Sequence, residues 1–235
     1  MAPATKAPLA PHEFWQDLYP PRTFEEAPAG GFRDLYPARL ADGRQIALPV
    51  RVLPGAGDSA VASLIINQAS FAVEDALADA MAALAVAHAP DIVIGVPTLG
   101  LLLANAVARR LGHLRMVALG TSRKFWYADD LSEPLTSITS PASSKRLYLD
   151  PRMAPLLDGR RVVVVDDVVS SGASMATVLR LLDRAGVAPQ AAVFAMVQGD
   201  AWKGALSGLF PLERIHGAIA SPRLRRTADG SWIPA

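Results

Sequence analysis

Residues 161–175, RVVVVDDVVSSGASM, constrain this chain more than any other stretch. Four consecutive valines are β-branched and apolar on both sides of a period-two strand, which belongs in a sheet covered on both faces. Asp166 and Asp167 end that run. Val168 and Val169 follow, then Ser170, Ser171, Gly172, Ala173 and Ser174. Beyond them Met175, Val178, Leu179 and Leu182 recur at the spacing of one buried helix face. The segment reads as a buried strand, a turn of small residues and a helix, with two acids at the strand's carboxyl end.

The same alternation recurs elsewhere. DIVIGVP (91–97) is an apolar strand followed by a helix with Leu103, Ala106, Val107 and Leu111 on one face. RMVALG (115–120), AAVFAMV (191–197) and RIHGAI (214–219) are further strands. The fold class is α/β, with a central, mostly parallel sheet flanked by helices in a Rossmann-like arrangement. Upstream, residues 36–53 form a hairpin about Asp42-Gly43, 62–70 a strand, and 71–89 a helix burying Leu77, Ala80, Met81 and Leu84. Residues 1–31 form an arm with little regular structure, 32–220 the main domain, and 221–235 a hairpin tail. The weakly periodic stretch 121–160 is a long loop with one strand at RLYLD, and loops of that length are usually functional or disordered.

Composition removes several function classes. The 235 residues contain no cysteine, so disulfides, thiolate zinc sites and a cysteine nucleophile are excluded. Four scattered histidines offer no metal cluster, and a net charge of +1 makes no strong claim on nucleic acid or membrane. PRLRR (222–226) is the one basic cluster, of a size that is usually just solvated. The N-terminus lacks the apolar run of a signal peptide, and no apolar run is long enough to span a membrane. A cytoplasmic location is the expectation.

In open parallel sheets, ligands bind at the carboxyl ends of the strands. Two carboxylates a few ångströms apart repel by roughly 4 kcal/mol at an effective dielectric near 20, so hydroxyl donors, a cation or water must offset them. A cis-diol supplies two donors at about that spacing. The small residues that follow expose backbone N–H groups at a helix N-terminus, which is a cradle for phosphate. Together the two halves describe a ribose 5-phosphate site. Taken singly, the turn is also an ordinary strand-to-helix connection, and the acids a helix cap plus a surface charge. A phosphoacceptor site draws its acids from different strands, and the other strands here supply none. The G-x-G-x-x-G and G-x-x-x-x-G-K-[ST] fingerprints are absent.

VVVVDDVVSSGAS (162–174) resembles the phosphoribosyl pyrophosphate (PRPP) motif of type I phosphoribosyltransferases. The resemblance implies that Asp166 and Asp167 hold the ribose 2- and 3-hydroxyls and that Ser170, Ser171, Gly172, Ala173 and Ser174 wrap the 5-phosphate. Ala173 stands where many members carry glycine. VIGVPTLGLLLANAVARRLG is similar to the family's first strand, pyrophosphate loop and helix, with Thr98, Leu99 and Gly100 as the loop. SRKF is similar to the pair that opens the flexible loop, here about 121–150. It implies that Arg123 and Lys124 contact pyrophosphate, beside the alternative of a solvated pair. Lys145 and Arg146 lie later in that loop, and Trp126 and Tyr127 are lid or substrate contacts. RLYLDPRMAPLLDGRRV is similar to the lead into the motif in adenine-type enzymes. The likeness spans about 90–200, and residues 1–70 match no member.

The activity implied is transfer of the 5-phosphoribosyl group from PRPP to a nitrogenous base with release of pyrophosphate. A purine of adenine type is favoured. An orotate-type enzyme and a non-catalytic PRPP-sensing regulator are the alternatives. Base recognition falls to a hood built from 33–70 and 198–220, and Val168 and Val169 are either base contacts or buried aliphatics. Mg²⁺ is implied as cofactor, held mainly through PRPP with no protein metal site. The implied partners are PRPP and a nucleobase, with a homodimer as the implied assembly and neither membrane nor nucleic acid among them.

Overall fold

A computed structural model describes residues 8–135 and 145–235. Residues 1–7 of the expected arm and 136–144 of the expected flexible loop lie outside the described residues. In chain order the strands begin with β1 (Leu18–Tyr19), β2 (Leu35–Arg39), β3 (Gln45–Leu53) and β4 (Ala56–Ala62). Helix α1 (Phe71–Val86), β5 (Ile92–Gly95), helix α2 (Gly100–Arg110) and β6 (Val117–Ala118) follow. Next come β7 (Ser132–Pro134), β8 (Arg146–Tyr148), β9 (Val162–Val169), helix α3 (Ala173–Arg184) and β10 (Ala191–Gln198). Helix α4 (Ala201–Leu206), β11 (Ile215–Ser221), β12 (Arg223–Arg226) and β13 (Trp232–Pro234) complete the chain. The described residues group into two compact units, one drawn from 8–74 and 221–235, the other from 75–135 and 145–220.

The first unit is one sheet ordered β1-β3-β4-β12-β13, with β2 also paired to β3. The hairpin about Asp42-Gly43 is present, with Gly43 at φ +88°. A second hairpin joins β3 to β4 at Pro54-Gly55, so the strand read over 62–70 lies earlier. β4 ends at Ala62, and Ile66–Gln68 form a single 3-10 turn. Within the arm read over 1–31, β1 pairs with β3, and Phe14, Trp15 and Tyr19 are buried. The Trp15 indole N–H donates to the Ser63 carbonyl at 2.9 Å. Residues 221–235 are not a separate tail: β12 pairs with β4 and β13 with β12. Phe32, Ala60, Leu224 and Trp232 form the small core that this pairing closes.

The second unit holds a five-stranded sheet ordered β11-β10-β9-β5-β6. The β10–β9, β9–β5 and β5–β6 pairs are parallel. Centrally placed β9 buries Val162, Val163, Val164 and Val165 completely, each contributing about 1.5–3 kcal/mol. Met175, Val178, Leu179 and Leu182 of α3 are buried as their spacing requires. On α1, Leu77 and Met81 are buried with Val73 and Ala85, while Ala80 and Leu84 are half-buried. The stretch 198–220, read as part of a hood, supplies α4 and most of β11 to this unit. β7 and β8 form an antiparallel two-stranded ribbon with Ser132 opposite Tyr148. Only β8 was legible in the sequence, because Ser-Glu-Pro in β7 carries no apolar alternation.

Candidate functional site

β9 does not end at Asp166 and Asp167 as the sequence suggested: it runs on to Val169 beside β10. The two acids stand just past Val165, where the pairing of β9 with β5 stops. Asp166 is only 8% exposed, and Asp167 is half-buried. The Asp167 backbone N–H donates to Asp166 Oδ1 at 2.8 Å. Burial, and then the charge of Asp167, push the Asp166 carboxyl well above the usual carboxylate range. Among the described residues no cation pairs with either acid.

The neighbouring strand brings its own loop to the same place. The Val96 N–H donates to the Val165 carbonyl at 3.1 Å, holding the end of β5 beside β9. The Pro97–Thr98 peptide bond is cis, Thr98 is exposed and Leu99 is half-buried. Gly100 opens α2 directly against the acid pair. A Cβ there would lie 2.8 Å from Asp166 Cα, so only glycine permits this approach. The structure therefore brings Gly100 against Asp166, with Thr98 and Leu99 in the loop just before it.

After β9 the chain turns through Ser170 to Gly172. Gly172 has φ +82°, and a Cβ on it would lie 3.1 Å from Trp202 Cα and 3.0 Å from Ala205 Cβ, both in α4. The turn thus needs glycine for its backbone conformation and for its packing. The Ala176 N–H donates to the Gly172 carbonyl at 2.9 Å, which starts α3. The N-cap residue Gly172 has no side chain to cap α3, and of the first-turn groups the Ala173 N–H donates to Ser171 Oγ at 3.4 Å. Other first-turn N–H groups and the positive end of the helix dipole therefore remain for an anion. A cavity of about 120 Å³ is lined by Asp166, Val168, Val169, Ser170, Ser171, Gly172, Ser174, Met175 and Phe194. The Asp166 carboxyl and the small-residue turn before α3 therefore open on one space, which Asp167 does not line. Val168 lines that space half-buried, while Val169 also belongs to the core.

Arg123 and Lys124 occupy the segment after β6, and both are exposed. The Arg123 guanidinium lies 2.9 Å from Asp129. Beside them the Trp126 indole N–H donates to Asp150 Oδ2 at 3.2 Å, and the Arg152 guanidinium lies 4.4 Å from the Trp126 ring centroid. Hydrogen bonds from Arg152 hold the Asp150 carboxyl well below the usual range. Tyr127 lies against Tyr148, at 5.6 Å between centroids. Lys145 is exposed, whereas Arg146 donates to Ser132 Oγ at 2.8 Å and so braces the ribbon.

Sequence reasoning missed Gln198, whose Oε1 accepts from Ser170 Oγ at 3.1 Å. As the last residue of β10 it stands at a strand's carboxyl end, the placement rule that identified Asp166. Phe194 and Met175 were legible as core residues but not as cavity walls.

A family model described as phosphoribosyl transferase domain matches residues 64–201. The adenine phosphoribosyltransferase of Mycolicibacterium vanbaalenii is 35% identical over 142 residues, covering 60% of this chain and 73% of that protein. The adenine phosphoribosyltransferase of Mycobacterium avium is 30% identical over 137 residues, covering 55% of this chain and 68% of that protein. Among solved structures, adenine phosphoribosyltransferase from Rhodothermus marinus superposes with a TM-score of 0.53 at 19% identity, covering 73% of this chain and 94% of that one.

Proposed function

The chain belongs to the phosphoribosyl transferase domain family, and from that premise we propose that it transfers the 5-phosphoribosyl group of PRPP to a purine base, adenine first. The observation that carries this reading is the single cavity onto which the unpaired Asp166 and the uncapped turn before α3 both open. Adenine is favoured because the Mycolicibacterium and Mycobacterium relatives are adenine phosphoribosyltransferases.

Asp166 and Asp167 accept hydrogen bonds from the ribose 2- and 3-hydroxyls, and the diol offsets the repulsion between them. Backbone N–H groups of residues 170–174 hold the 5-phosphate, with the serine hydroxyls beside them. Thr98, Leu99 and Gly100, together with Arg123 and Lys124, receive the pyrophosphate. A ring nitrogen of the base forms a bond to ribose C1 as the C1–O bond to pyrophosphate breaks. That electron pair departs with pyrophosphate, and the base releases its N–H proton. The protein's share of catalysis is positioning and electrostatic stabilisation of the leaving charge.

Mg²⁺ would enter carried largely by PRPP oxygens and water, as this ion often does. Asp166 and Asp167 are the carboxylates that would hold the complex, and the ion would neutralise charge on the leaving group. The test is pyrophosphate release from PRPP and Mg²⁺ with adenine, guanine, hypoxanthine, xanthine, orotate or uracil. Release with adenine is expected. Release with another base replaces the acceptor, and PRPP binding without release from any of them overturns the transferase reading.

A further inference from the structure

Glu133 plays no part in the site described above, yet it is 7% exposed and sits on the ribbon rather than in a core of its own. Arg180 Nε donates to its Oε1 at 2.9 Å. Arg184 Nε stands 3.0 Å from its Oε2, close enough for an ion pair but not aligned as a hydrogen bond. Both arginines lie on α3, one turn apart, so a single buried carboxylate draws two cations from the helix that begins at the small-residue turn.

A continuous chain of hydrogen bonds leads from Glu133 to that turn. Arg180 Nη2 donates to Thr177 Oγ1 at 3.0 Å, and the fully buried Thr177 hydroxyl donates to the Ala173 carbonyl at 3.2 Å. Ala173 is one of the turn residues assigned to the 5-phosphate. On the other side, Glu133 is opposite Leu147 of β8. The adjacent Tyr148 exchanges both backbone hydrogen bonds with Gly120, its N–H donating at 2.8 Å and its carbonyl accepting at 3.0 Å. Gly120 lies three residues before Arg123, where the segment assigned to pyrophosphate begins.

We propose that Glu133 is a positioning residue, setting the distance between the phosphate end and the pyrophosphate end of the PRPP site through Arg180 and Thr177 on one side and the ribbon on the other. The role rests on the PRPP reading above. It deepens that reading by naming what keeps the two anion sites in register. Paired arginines on one buried carboxylate suit this task, because the Glu133 charge holds the ribbon to two successive turns of α3, and its loss releases both contacts at once. PRPP, which spans both ends, is the ligand sensitive to that shift. Its fragments, each filling one end, are not.

The experiment compares wild type with Glu133→Gln and Thr177→Val in the full chain. It measures kcat, KM for PRPP, KM for the base, and inhibition constants for ribose 5-phosphate and for pyrophosphate. A misplacement of ångström size costs up to about 100-fold in such systems. A rise of about tenfold in KM for PRPP is therefore expected for Glu133→Gln, with both fragment constants and the base KM changed less than threefold. Thr177→Val, which leaves Glu133 paired, should give the same pattern with a smaller rise, and it serves as the test if Glu133→Gln does not fold. A PRPP KM equal to wild type in the folded variants overturns the positioning role. So does a fall in kcat and active fraction with every constant moving together, which marks a purely structural residue. Wild-type protein that neither binds nor turns over PRPP removes the PRPP reading and the positioning role with it.

Discussion

Two kinds of buried carboxylate share the second unit. Glu133, Asp150 and Asp166 are 7%, 9% and 8% exposed, so burial alone does not separate them. Their partners do. Glu133 has Arg180 and Arg184. Asp150 has Arg152 in a two-pronged contact, the Arg152 backbone N–H at 3.0 Å and the Trp126 indole N–H. The neighbour of Asp166 is a second acid, and burial with that charge raises its carboxyl where Arg152 lowers that of Asp150. Where a carboxylate serves the fold, the same chain supplies the cation. Asp166 faces a cavity without one, and under the function proposed above the diol of PRPP takes that place.

The largest expected effect sharpens the comparison at its functional end. Changing both Asp166→Asn and Asp167→Asn removes two charge-assisted hydrogen bonds worth about 2 kcal/mol each, so kcat/KM should fall on the order of 10³-fold. The melting temperature should hold or rise, because an uncompensated buried charge disappears. Steady-state kinetics with a thermal melt checks both, and wild-type kcat/KM in a folded double variant breaks the assignment. Asp150→Ala should behave in the opposite way. It strips Trp126 and the Arg152 N–H of their acceptor, so Tm should drop by about 2–4 °C while KM for PRPP moves less than threefold. A large rise in that KM would place Asp150 with the ligand-facing acids.

The two ends of this comparison were unequally legible. Asp166, Asp167 and the Ser170–Ser174 turn were readable because a parallel strand, a small-residue turn and a helix are contiguous in the chain and each leaves a local pattern. The α3 face was legible for the same reason: Met175, Val178, Leu179 and Leu182 repeat at helical spacing. Glu133 was illegible. Its partners are 47 and 51 residues away, and nothing in Ser-Glu-Pro announces a strand until β8 pairs with it. In the first unit the hairpin about Asp42-Gly43 was legible, and the long-range pairing was not. The tail hairpin was visible from Asp229-Gly230, but its pairing with β4 joins residues some 160 positions apart. Long-range antiparallel pairing is set by which surfaces meet, and a local pattern carries no record of that.

The smallest expected effect is in the pH profile, and here the two carboxylates pull in opposite directions. The folded-state value of Asp166 lies above its unfolded value near 4, so the folded chain holds this proton more tightly than the unfolded one. Its contribution is present below about pH 4 and is lost as pH rises through the raised value. Asp150 has a folded value below 4, so its contribution is present above about pH 4 and is lost as pH falls toward that lower value. Urea midpoints of the unliganded protein between pH 3 and 8 should therefore lose their alkaline-side decline in Asp166→Asn and part of their acid-side decline in Asp150→Ala. PRPP supplies the comparison's last test. If its diol binds the ionised Asp166, the stabilisation it confers must grow as pH rises through the Asp166 range, because the ligand then takes the place the proton held. A PRPP-induced shift that is flat across that range would mean that the diol meets Asp166 in one protonation state throughout, and the buried unpaired carboxylate would need another explanation.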